Sequence, residues 1–86
     1  MLRVMVTKLK TLESGTVVGR ATTSKKNKDG EYDNFWWDIK FVGNCKDEAS
    51  FLEDKCRLDL KEINLEQRVY DGREITQIVV FAFDQL

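Results

Sequence analysis

The sequence predicts an all-β fold, five short antiparallel strands closing into a barrel with one short helix between the third and the fourth. Apolar and polar residues alternate with a period of two along most of the chain, as half-buried strands require. Asp29-Gly30 and Asp71-Gly72 mark two hairpins, because both residue types tolerate φ > 0. The segment around residues 45–54 lacks this alternation, and Asn44 with Asp47 and Glu48 gives it the start signal of a helix.

Taken in order, Leu2, Val4 and Val6 alternate with Arg3, Met5 and Thr7, predicting a first strand over about residues 2–9. Leu12 to Gly15 reads as a connection, and β-branched Thr16 to Ser24 as the second strand. The third, Phe35 to Val42, divides cleanly: Trp37, Ile39 and Phe41 on an apolar face, and Trp36, Asp38, Lys40 and Val42 on a mixed face. Ala49, Phe51 and Leu52 of the helix should close one barrel end. The fourth strand, about Arg57 to Glu66, switches its apolar set from Leu58 and Leu60 to Ile63 and Leu65. A β-bulge at Lys61-Glu62 would produce that one-residue slip. The turn Tyr70-Asp71-Gly72-Arg73 leads into a fifth strand, Glu74 to Phe83, apolar on both faces near its end. This order of strand, strand, strand, helix, strand, strand is that of the five-stranded OB-fold, here a single domain over residues 1–86. An open sheet with a helix on one face is the alternative.

Composition narrows the function. The chain has 86 residues, no histidine and no proline. Without histidine, Ser-His-Asp and Cys-His nucleophiles and most zinc sites drop out, and no Gly-rich phosphate loop is present. A non-enzyme without cofactor or metal is expected. Cys45 and Cys56 stand alone, without CxxC spacing, and read as apolar thiols in a reducing cytoplasm, with a mutual bridge or a metal as the lesser alternatives. No apolar run approaches the roughly 20 residues a membrane span needs, and the alternating start is unlike a signal peptide. A soluble cytoplasmic protein is expected. Net charge is −1, but residues 1–40 carry eight Lys/Arg against five Asp/Glu, and residues 41–86 six against ten. Arg20 to Lys28 holds four basic residues and no acidic one. Such a local positive stripe attracts phosphates, although binding should fade quickly with salt.

Two features coincide on this frame. The hairpin between strands two and three carries Lys25, Lys26 and Lys28, followed by Tyr32, Phe35 and Trp36; that between strands four and five carries Arg68, Tyr70 and Arg73. Trp37 reads as core, so Trp36 must point outward, where a large indole calls for a ligand or a subunit contact. Single-stranded DNA fits best, with phosphates on Arg20, Lys25, Lys26, Lys28, Lys40 and Arg73 and bases on Trp36, Tyr70, Tyr32 and Phe35. Asp38 on the same face counts against it. Single-stranded RNA would meet the same platform, since only 2′-hydroxyl contacts discriminate. A protein–protein module using Trp36 and the apolar end of the last strand is the reading from another class.

NFWWDIKFVGN resembles the third-strand segment of the bacterial single-stranded DNA-binding protein family, where an aromatic or apolar strand ends in Gly before a short helix. RVYDGREITQIVV resembles that family's fourth-to-fifth-strand hairpin, and Thr16 to Ser24 aligns with its second strand. The resemblance covers most of the chain from about residue 16 and implies a homo-oligomer, dimer or tetramer, acting in DNA replication or recombination. It implies that Trp36 stacks a base, that Tyr70 lies near a second stacking position, and that Lys25, Lys26 and Lys28 sit in the loop reaching round the strand. The chain departs from the family in ending at Phe83-Asp84-Gln85-Leu86, without a Gly/Pro/Gln-rich extension and acidic tip. Recruitment of replication and repair partners through such a tip is not expected. The first strand, which joins dimers in that family, is also short. A trimmed barrel of this kind is similar to the phage and mobile-element members and to the related primosomal replication protein.

Overall fold

The computed structural model describes residues 2–86, which form β1 (Leu2–Thr11), β2 (Val17–Lys26), β3 (Tyr32–Phe41), a 3-10 turn (Gly43–Cys45), α1 (Lys46–Ala49), β4 (Cys56–Tyr70) and β5 (Arg73–Gln85). The strands close into a barrel in the order β1-β2-β3-β5-β4. Two seams decide for closure over an open sheet. β1 pairs antiparallel with β4 from Leu2↔Leu60 to Val6↔Cys56, and β3 pairs with β5 from Asp38↔Gln77 to Phe41↔Val80. The second seam is parallel, unlike the uniformly antiparallel arrangement expected. The reason is topological: a closed ring with an odd number of strands cannot alternate direction all the way round.

The inward faces meet as the period-two pattern requires. Val4, Val6, Val17, Ala21, Ile39, Phe41, Leu58, Leu60, Ile78, Val80 and Phe83 form the core, with Trp37 packed against its rim. The Phe41 and Phe83 rings meet edge to face, 5.2 Å between centroids. The Trp37 indole Nε1 donates to Thr23 Oγ1 at 3.0 Å, which satisfies its polar edge.

β1 runs two residues further than expected, through a bulge. Its register with β2 shifts between Thr7 and Lys10, and Lys8 takes a positive φ of 55°. One carboxylate oxygen, Asp54 Oδ1, accepts from Thr7 Oγ1 at 2.6 Å and from the Lys8 N–H at 3.0 Å, bracing the bulge. These bonds hold the Asp54 carboxyl below its ordinary value of 3.8. Its contribution to stability is therefore complete above 3.8 and is lost as pH falls through the lower folded-state value. We expect the stability gap between the wild type and Asp54→Asn, followed by urea unfolding down the acid range, to close over that interval. A constant gap would show that the carboxylate's charge is not what braces the bulge.

Opposite the bulge lies Gly19, where an added Cβ would come within 2.9 Å of both the Thr7 carbonyl oxygen and the Leu9 side chain. The carbonyl is backbone and cannot swing aside. Gly19→Ala should cost about 1–3 kcal/mol in chemical denaturation, as overpacking does.

The helix is shorter than the sequence suggested. It is one turn, Lys46–Ala49, reached through the 3-10 turn; its N-cap is Cys45, without a side-chain cap, and Asn44 caps nothing. Ala49 is buried and Leu52 half-buried against the core, but Phe51 is 85% exposed. Positions 49 and 52 share one face of a turn and 51 lies on another, so a single turn cannot seat all three. Cys45 lies with its Sγ 3.2 Å from the carbonyls of Val42 and Val80. Burial pushes both the Cys45 and the Cys56 thiols up, and neither is in a disulfide.

The bulge at Lys61-Glu62 is present: Leu60 pairs with Phe83, Glu62 with Ala82 and Ile63 with Val80. Lys61 is thus the extra residue on β4, and Phe81 is a second one on β5 that restores the register. Beyond it, β4 and β5 run on as a two-stranded arm to a two-residue turn at Asp71 and Gly72, whose φ values of 54° and 76° mark the I′ type. β4 therefore reaches Tyr70 rather than Glu66. The first hairpin is built differently. Only Gly30 has positive φ there, and the five-residue loop closes through the Asn27 N–H on the Glu31 carbonyl. The Asn27 side chain caps the loop by accepting from the N–H groups of Asp29 and Glu31. Because β3 and β5 are parallel, both hairpins project from the same end of the barrel.

Candidate nucleic-acid interface

Strand parity puts Trp36 outside the barrel, 52% exposed, with Thr22 of β2 directly opposite. Thr22 in turn faces Met5 of β1, and Met5 faces Arg57 of β4, so one row crosses the sheet: Arg57, Met5, Thr22, Trp36. A concavity of about 460 Å³ lies along this row, lined also by Arg3, Ser24, Asn34 and Leu86. On its far side Trp36 borders a second hollow of about 360 Å³, with Trp37, Arg20, Asp38, Glu74, Ile75 and Thr76. The half-exposed indole thus stands between two hollows and lines both of them.

The charges around it sort into paired and free. Arg20 donates to Asp38 Oδ1 at 3.2 Å, so the carboxylate that counted against the site is neutralised by a residue expected to hold phosphate. Lys40 reaches over β5 to Glu66 at 3.3 Å, and this strap covers Gln77 and Val79, which are buried although they face outward. Lys61 pairs with Asp59 at 3.1 Å and Asp84 at 3.5 Å, and the Asp59 bond raises its pKa. Among the described residues, Arg3 and Arg57 have no acidic partner within 4.0 Å, and both are exposed beside the Trp36 groove.

No protein-family model matches the chain, and no curated protein matches it. Among solved structures it is similar to a small single-stranded DNA-binding protein from Streptomyces coelicolor, with a TM-score of 0.57 over 98% of this chain and 89% of that one. The chain has the OB-fold. At 12% sequence identity the likeness is one of fold, so any site rests on this chain's own residues.

In OB-folds, strands two and three and the flanking loops present the ligand face, and the sequence-predicted residues distribute over it unevenly. Trp36, Tyr32 and Lys26 share the outer face of the β2–β3 arm, Lys26 directly opposite Tyr32. Ser24 Oγ donates to Asn34 Oδ1 at 2.7 Å between them, stiffening the arm. Phe35, 46% exposed, and Lys25, opposite Asp33, lie on the other face of the arm, and Lys28 sits in the loop at its tip. Tyr70 and Arg73 close the tip of the β4–β5 arm, Tyr70 72% exposed over a separate hollow with Asp38, Arg68, Val69, Ile75 and Gln77. Trp36 and Tyr70 therefore occupy two hollows that meet at Asp38, while Lys40 is engaged elsewhere.

Sequence reasoning missed Arg3, Met5 and Arg57. Alternation alone turned Arg3 and Met5 outward; what it lacked was the β1–β4 register, which brings Arg57 to the groove.

Among the described residues no group of three or more His, Cys, Asp or Glu is placed to hold a metal ion, and no helix is long and apolar enough to cross a membrane.

Proposed function

We propose that this chain binds single-stranded DNA without catalysing a reaction and with little regard to base sequence. The observation that carries the reading is the exposed Trp36 between two hollows, flanked by the guanidinium groups of Arg3 and Arg57, which have no acidic partner among the described residues. A base can stack on the indole face, and guanidinium groups along one side of the groove neutralise the backbone that connects successive bases. Lys26 with Tyr32 extends the track along one arm and Tyr70 with Arg73 along the other; Lys25, Lys28 and Phe35 meet a strand that wraps the first arm. The fold likeness to a single-stranded DNA-binding protein and the resemblance of the third-strand and hairpin segments support the same reading. On it, the protein works in the cytoplasm in replication or recombination, in the manner of phage and mobile-element members, without a cofactor.

Titration with oligo-dT at low salt tests the proposal. Tryptophan emission should be quenched and the oligonucleotide retarded in a gel; an unchanged spectrum with no retardation overturns it. Competition by RNA and duplex of equal length ranks the polymers, and a stronger RNA arm would reassign the ligand. Arg57→Ala should weaken binding about equally for all sequences and reduce the slope of log K against log salt by roughly one phosphate contact, or about 0.7. An unchanged slope would remove Arg57 from the track.

A further inference from the structure

From Glu62 to Tyr70, β4 pairs with β5 on one side, and no strand among the described residues pairs with its other side. The two-residue turn makes Tyr70/Arg73 a hydrogen-bonded pair, and the pattern alternates back along the arm. Ile63, Leu65, Gln67 and Val69 consequently direct their N–H and C=O groups away from β5 toward the open edge. The Leu65 N–H, at mid-edge, donates to Asn64 Oδ1 of its own strand at 3.0 Å. The side chains on this stretch are apolar on one face: Ile63, Leu65 and Val69 are 37%, 60% and 77% exposed. They prolong the core face of Val80 and Ile78, their neighbours on β5, out of the barrel. Long edge strands of this kind pair readily with another strand.

The sequence of the edge is complementary to itself. Laid antiparallel to a second copy with Leu65 on the two-fold axis, Leu65 meets Leu65, Ile63 meets Gln67 and Asn64 meets Glu66. Glu62 meets Arg68 twice, once on each side of the axis. Neither Glu62 nor Arg68 has an ion-pair partner among the described residues; Arg68 makes a 3.5 Å contact to Gln77. Centring the pair on Glu66 or Asn64 would instead oppose glutamates. Centring it on Gln67 would demand Glu66, which Lys40 already holds.

We propose that the open edge of β4 is a homodimer interface, in which two copies of this chain join their β4–β5 arms into one four-stranded antiparallel ribbon across Leu65. The contact is isologous, so it closes at two copies, and it leaves the Trp36 groove open.

Sedimentation over a range of protein concentrations, without DNA, tests it. The wild type should be a reversible dimer. Glu62→Arg and Arg68→Glu should each be monomeric at concentrations where the wild type is dimeric, because each places two like-charge pairs across the axis. The double variant E62R/R68E should dimerise again. Mixing the two single variants should also restore a dimer, as a heterodimer, which repair within one chain could not do. Both positions are exposed, and an unchanged far-ultraviolet spectrum for each variant confirms its strand content. A monomeric wild type, a dimer indifferent to Glu62→Arg, or mixed single variants that stay monomeric would each overturn the interface.

Discussion

Trp36→Ala is expected to weaken binding of single-stranded DNA by about 1–3 kcal/mol, roughly 5- to 150-fold, while leaving the denaturation midpoint nearly unchanged. The indole is 52% exposed and makes no hydrogen bond among the described residues, so little of the fold depends on it. Its neighbour supplies the contrast. Trp37 packs against the core and donates to Thr23, so Trp37→Ala should lower stability first and affinity only as a consequence. The same pair divides the fluorescence signal: quenching by oligo-dT should disappear in Trp36→Ala although Trp37 still emits. A Trp36→Ala protein that binds as tightly as the wild type would move the site away from the outer face of β3. The measurement is an affinity at fixed, low salt, because the phosphate contribution otherwise masks the stacking one.

Phe41→Ala should be the most damaging single truncation, at about 3–5 kcal/mol. Phe41 is fully buried, belongs to both the β2–β3 and the β3–β5 seams, and stacks edge to face on Phe83. Removing its ring empties the middle of a small core that has few other aromatic side chains to close over the space. Since the whole stability of a domain is about 5–15 kcal/mol, this one change should consume a large part of it. Urea denaturation reads the effect as a lowered midpoint at unchanged m. A loss below about 1 kcal/mol would mean that Phe83 and the surrounding aliphatic residues refill the cavity.

Much of the fold was legible in the sequence because alternation is a local property. The five strands, the inward set Trp37, Ile39 and Phe41, the two Asp-Gly turns and the slip at Lys61-Glu62 are all consequences of residue type at neighbouring positions. The helix was less legible. Asn44, Asp47 and Glu48 form a start signal, but a signal to start does not set a length, and the chain turns away after Ala49 so that Leu52 can reach the core while Phe51 cannot. At the site, alternation fixed that Trp36 points out, since Trp37 must point in.

What required tertiary structure was everything that depends on which strand lies beside which. The β1–β4 seam brings Arg3, Met5 and Arg57 to the Trp36 groove, although Arg57 is 21 positions away in the chain. The β2–β3 register sets Arg20, an expected phosphate ligand, against Asp38, the carboxylate that opposed the site, and so neutralises that carboxylate. The parallel β3–β5 seam sends both arms from one end of the barrel and lets Lys40 cross to Glu66. A single strand's pattern states which face is apolar; it contains no information about its neighbour's register. The pairings of β1 with β4 and of β3 with β5 that close the barrel supply that information, and with it the groove.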